Sequence, residues 1–133
     1  MSTQIPAKEI ALLMEAGHIC RYAQRFREAR EIFQGVAALI PVREPADLAL
    51  AAVACDEHKF DEAEKLCRSV LQVNGGSVAA YAQLAELQIM RDDPAAAITT
   101  LKTTYNLRPA GPMLSLVRSL DRLARLLSQQ ASI

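Results

Sequence analysis

The chain has 133 residues, 51% of them apolar and 23% charged, with a formal net charge of zero. That balance excludes an intrinsically disordered segment, and the absence of net charge removes any global field drawing the chain to nucleic acid or an anionic membrane. Trp is absent, Gly scarce, and Ala, Leu, Glu and Arg plentiful, so helix formers dominate and the expected class is all-α.

Along the chain, apolar segments of two kinds alternate. Segments near 8–23, 46–57 and 78–91 are apolar almost all round, as in Ile10–Met14 and Leu48–Val53, and such helices are expected to be covered on more than one side. Between them lie amphipathic helices. Their stripes read Ala29, Ile32, Phe33, Val36 and Ile40, then Ala63, Leu66, Cys67, Val70 and Leu71, then Ala97, Ile98, Leu101 and Tyr105. Glu44-Pro45 and Asp93-Pro94 open helices, Ser77 is placed to cap one, and Pro41 and Pro109 close pairs. A last helix is expected over 112–130, with Met113, Leu116, Leu120, Leu123 and Leu127 on one stripe and Val117 and Ala124 beside it.

These segments obey one period. Displaced by 34, the sequence aligns on itself without a gap in three blocks, 10–43, 44–77 and 78–111. Gly17, Ala51 and Ala85 recur in phase, as do Ile19, Val53 and Leu87, then Ala29, Ala63 and Ala97, then Leu39, Val73 and Leu107. Pro41, Gly75 and Pro109 form a fifth series, on helix breakers. Repeated helix pairs whose inner members are apolar all round make a solenoid, with small residues where paired helices cross.

Small residues at Gly17, Ala51 and Ala85 and at Ala29, Ala63 and Ala97, with Phe26, Phe33 and Phe60 and the breakers Pro41 and Pro109, resemble the tetratricopeptide repeat (TPR) family over 10–111. The family's turn glycine is absent; Gln24, His58 and Asp92 stand there, while Asp47 replaces a bulky apolar residue and Gln88 a tyrosine. The resemblance implies a right-handed α-solenoid of three helix pairs in one domain, with 112–130 as a capping helix. It also implies a peptide-binding groove along the first helix of each pair, at Met14, His18, Tyr22, Leu48, Ala52, Ala82, Glu86, Ile89 and Met90. Met14, Leu48 and Ala82 stand where chaperone-tail-binding TPRs carry Lys and Asn, so that clamp is not expected. An apolar wall with Met at both ends suits an apolar helix or extended segment.

Catalytic chemistry finds no footing. His18 and His58 lie 40 residues apart on different elements, and Gly75-Gly76 lacks the Lys and Ser/Thr of a phosphate loop. Cys20, Cys55 and Cys67 have neither Cys-x-x-Cys spacing nor an even count, so buried thiols are expected rather than a zinc site or disulfides. No enzyme activity, metal or cofactor is expected. The cluster Arg21, Arg25, Arg27 and Arg30 is interrupted by Glu28 and Glu31 and lacks stacking aromatics, so no nucleic acid is expected. The acids of 44–77 read as a solvated face. No signal-peptide pattern opens the chain, and Leu48–Cys55, eight residues, is too short to span a bilayer, so cytoplasmic location without membrane insertion is expected.

With Phe26, Ala29, Phe33, Gln34 and Pro41, the chain is similar to the small TPR chaperones of bacterial type III secretion systems. That resemblance implies a protein partner, either a secretion substrate or an export component, with homodimer and heterodimer both open. The alternatives are a generic TPR scaffold bridging soluble proteins and a regulatory subunit of an enzyme on another chain.

Overall fold

The computed structural model describes residues 5–131 and contains, among them, seven helices and no strand. These are α1 (Ala7–Tyr22), α2 (Phe26–Leu39), α3 (Glu44–Asp56), α4 (Phe60–Val73), α5 (Val78–Met90), α6 (Pro94–Tyr105) and α7 (Gly111–Ala131). Helices α1–α2, α3–α4 and α5–α6 pack as pairs, each pair packs on the next, and α7 packs on α5 and α6.

Local chemistry sets the boundaries. Ser77 Oγ accepts from the Ala80 N–H (3.1 Å) and Asp93 Oδ1 from the Ala96 N–H (3.2 Å), satisfying donors that the first turns of α5 and α6 leave free. Pro45 and Pro94 sit in first turns, where a missing N–H costs nothing. Each first helix ends the same way. The N–H groups of Arg25, Lys59 and Asp93 reach back to the carbonyls of Cys20, Ala54 and Gln88 at 2.8, 2.8 and 2.9 Å. This closure needs a left-handed residue just before it, and Gln24, His58 and Asp92 supply it at φ 61°, 60° and 63°. The residues standing in place of glycine therefore keep glycine's backbone conformation.

The core is built on the middle helix pair. Helix α3 buries Ala46 and the whole run Ala49–Cys55, eight of its 13 residues, because α1, α2, α4 and α5 all pack against it. Helix α5 behaves similarly, burying Ala80, Ala82, Leu84, Ala85 and Leu87. Helix α1, expected to be covered on more than one side, is covered far less than α3 and α5. Only Gly17 is buried, while Leu12, Leu13, Ile19 and Tyr22 are exposed, since among the described residues α1 packs on α2 and α3 alone. At the crossing of α1 and α2 the Phe33 ring lies directly over Gly17: a Cβ there would stand 2.4 Å from Phe33 Cε1. Ala51 and Ala85, at the same phase, are fully buried.

Two expected stripes are rotated. On α6 the buried residues are Ala97, Leu101 and Thr104, whose hydroxyl donates to the Leu101 carbonyl at 2.6 Å, while Tyr105 turns outward toward Asp121. On α7 the buried residues are Val117, Leu120 and Ala124, leaving Leu116 and Leu123 exposed. The reason is common to both: a helix turns about 100° per residue, so one position changes the face.

The acids of 44–77 are not simply solvated, because arginines of both neighbouring repeats pair with them. Arg21 donates from Nε to Asp56 at 2.5 Å; Arg30 pairs with Glu57 and Glu62, each at 2.7 Å. From the other side Arg91 reaches Glu64 (3.0 Å) and Asp61. Arg25 and Arg27 of the same sequence cluster remain exposed, beside Glu28 and Glu31.

Candidate functional site

The inner helices line up side by side, and the surface they share is a groove of about 310 Å³. Its walls come from α1 (His18, Arg21), α3 (Pro45, Leu48, Ala49, Ala52), α5 (Ala79, Ala82, Gln83, Glu86) and α7 (Met113, Leu116). Alanines at four of these positions create the depth, because a methyl group leaves the space a longer side chain would fill. Leu48, Met113 and Leu116 supply bulk at the rim.

Of the nine residues expected at the groove, His18, Leu48, Ala52, Ala82 and Glu86 line it together. Met14 instead packs, half-buried, between the clusters around Phe33 and Val36, so it contributes to the core of the first pair. Ile89 packs against the cluster formed by α5, α6 and α7. Tyr22 is 76% exposed, with the Arg21 guanidinium 5.2 Å from its ring centre, and Met90 is exposed at the end of α5.

Met113 and Leu116 were not foreseen as groove residues. They stand 34 residues after Ala79 and Ala82, which themselves stand 34 after Pro45 and Leu48. Helix α7 thus occupies the place of the first helix of a fourth pair, and continuing the period one step further would have found it. It covers α5 and α6 with Val117, Leu120 and Ala124 while its first turns extend the groove.

Polar chemistry in the groove is concentrated at one spot. Arg21 grips Asp56 through two nitrogens, Nε at 2.5 Å and Nη2 at 3.4 Å. Gln83 donates to the Cys55 sulfur at 3.7 Å. His18 stacks 4.9 Å from the Phe33 ring; its Nδ1 is buried without a hydrogen-bond partner, and burial together with the charge of Arg21 holds the imidazole below its ordinary value. Burial pushes the Glu86 carboxyl above its ordinary value; Arg21 works against this shift and Asp56 adds to it. Of the three thiols expected to be buried, Cys20 is only half-buried; Cys55 and Cys67 are buried and pushed up to about 11 and about 12 by desolvation, which leaves these two protonated at neutral pH. No cluster of metal-ligating side chains occurs among the described residues, and no helix among them is long and apolar enough to cross a membrane.

Stacked antiparallel helix pairs with a shared concave wall define an α-solenoid of the repeat-protein class. The helix pairs resemble those of the tetratricopeptide repeat family, whose model matches residues 54–117. No protein of curated function matches the sequence significantly. Solved structures match the fold across nearly the whole chain. The type III secretion translocator chaperone SycD of Yersinia enterocolitica superposes with a TM-score of 0.73 at 15% identity, over 97% of this chain and 90% of that one. PcrH of Pseudomonas aeruginosa gives 0.71 at 16% identity, covering 97% and 96%. The first TPR of Spaghetti (RPAP3), solved with an HSP90 peptide, gives 0.69 at 16% identity, covering 99% and 100%. At these identities the likeness is one of fold.

Proposed function

We propose that this chain is a protein-binding TPR module that holds an apolar helix or extended segment of a partner polypeptide in the groove between α1, α3, α5 and α7. The observation that carries this reading is the groove itself, four inner helices presenting alanine-floored depth between Leu48, Met113 and Leu116. Its volume suits a few inserted side chains rather than a folded element. Full burial of each would contribute roughly 1.5–3 kcal/mol, against an association cost of several kcal/mol. The role is binding rather than catalysis. In support, the Cys55 and Cys67 thiols are protonated, and His18, the histidine in the groove, faces Phe33 and has no carboxylate orienting it.

For the partner class the support is analogy with the neighbours. PcrH has been solved with the chaperone-binding region of PopB, and SycD with a peptide of the translocator YopD. By that analogy of fold, the partner is a type III secretion substrate or export component, held in the cytoplasm before export.

Leu116→Glu tests the groove cleanly, because Leu116 is 43% exposed and lines it, so a charge there costs little stability. Polypeptides retained on the immobilised parent from its native cell extract should be lost by Leu116→Glu at unchanged melting temperature. Retention of the same set by both proteins would refute the groove. A retained set of soluble enzymes with no exported protein would refute the secretion role alone.

A further inference from the structure

Glu86 is the feature of the groove that packing does not explain. It lines the groove on α5, and it forms no hydrogen bond or ion pair with any described residue. The cation beside it, Arg21, is already committed through two nitrogens to Asp56. Gln83, one turn away, is turned to the Cys55 sulfur, and burial together with the charge of Arg21 disfavours the charged form of His18. The groove therefore holds two carboxylates, Asp56 and Glu86, to the one guanidinium of Arg21, and the ionised form of half-buried Glu86 costs stability unless something arrives to pair with it. Nor does the repeat require an acid here, since the residues 34 before and 34 after Glu86 are Ala52 and Leu120.

We infer that the partner segment held in the groove carries, among its apolar residues, a lysine or arginine whose charged head pairs with Glu86. This rests on the groove being the binding site. The fit is geometric as well as electrostatic. Ala79, Ala82 and Glu86 recur at helical spacing along α5, so the methyl-lined surface next to the carboxylate is free for the aliphatic stem of a long basic side chain. A charge placed in this way selects among partners and fixes their register more than it adds raw affinity.

Selection from a random-peptide phage library on the full-length parent, on Glu86→Gln and on Glu86→Lys tests this directly. Peptides enriched by the parent should share apolar positions and one Lys or Arg. Glu86→Gln should keep the apolar positions and lose the basic preference, and Glu86→Lys should replace it with Asp or Glu. Norleucine in place of the basic residue should weaken a selected peptide about tenfold on the parent and leave its affinity for Glu86→Gln unchanged. An apolar consensus without basic preference, the same for all three proteins, would overturn the inference and leave the groove standing. No enrichment by the parent over Leu116→Glu would overturn the groove and the inference with it. Glu86→Gln should also melt at or above the parent; a lower midpoint would mean that the carboxylate holds the fold, which likewise overturns the inference.

Discussion

Gly17→Ala is expected to destabilise the protein even though it places a better helix former in the middle of α1. A Cβ built on Gly17 lies 2.4, 2.6 and 2.9 Å from Phe33 Cε1, Cζ and Cδ1. Ordinary carbon–carbon contact begins near 3.5 Å, so the methyl group is too close by about 1 Å. The ring has little freedom to retreat, since Phe33 is fully buried and His18 lies against it at 4.9 Å. Overpacking costs about 1–3 kcal/mol, and three ring carbons inside 3.0 Å put this case in the upper part of that range. The helix-propensity gain of Ala over Gly returns about 1 kcal/mol. The balance is a loss of about 1–2 kcal/mol, or a fall of roughly 4–8 °C in melting temperature for a chain of this length. Gly35→Ala is the internal control: it is also mid-helix, but its added Cβ meets nothing within 4 Å, so it should gain about 1 kcal/mol. Thermal and urea unfolding of both variants, with Phe33→Leu alone and combined with Gly17→Ala, complete the test. Trimming the ring should make Gly17→Ala less harmful by about 1 kcal/mol. If Gly17→Ala instead stabilises as much as Gly35→Ala, the close crossing of α1 and α2 is wrong.

The turn after α3 should improve on glycine: His58→Gly, relieving a left-handed φ of 60° on an exposed side chain, is expected to add about 0.5–1 kcal/mol by urea unfolding. Two carboxylates should titrate with opposite sign. Arg30 holds Glu62 below its ordinary 4.5, so this stabilisation is present above 4.5 and lost as pH falls through the folded value. At neutral pH Glu62→Gln should cost about 0.5–1 kcal/mol, discounted because Glu62 is 42% exposed, and the difference from the parent should vanish in acid. Glu86, raised above 4.5, carries a penalty when ionised that is relieved as pH falls toward 4.5, so the stability advantage of Glu86→Gln should narrow over that interval in pH-dependent melting.

The period was legible because it is written in residues whose size the packing cannot change. Gly17, Ala51 and Ala85 sit where helices touch, and Gln24, His58 and Asp92 mark the turns 34 apart. What escaped the sequence depends on neighbours rather than on spacing. Among the described residues α1 packs on α2 and α3 alone, which its apolar composition, reading like that of α3, does not show. The pairing of Arg21 with Asp56 and of Arg30 with Glu62 spans 35 and 32 residues, and periodicity says nothing about which charges meet at that range. The period sets Met14 at the same phase as Leu48, which lines the groove. Met14 packs instead against the Phe33 and Val36 clusters of the first pair, a contact that the phase alone does not show.

The arginines that reach into the second repeat bear on how the array comes apart. Repeat arrays unfold as a chain of neighbouring units, and the sharpness of the transition depends on the contact free energy between units as much as on each unit's own stability. Here part of that contact is ionic, from Arg21 and Arg30 on one side and Arg91 on the other, all converging on the middle unit. Ionic strength weakens the exposed pairs first, and the Arg91 pair with Asp61 is the most exposed of them. Salt therefore loosens the joint between the second and third units before the joint made by the better-shielded Arg21 and Arg30, and the molecule's melting cooperativity is set by its solvent as well as by its core.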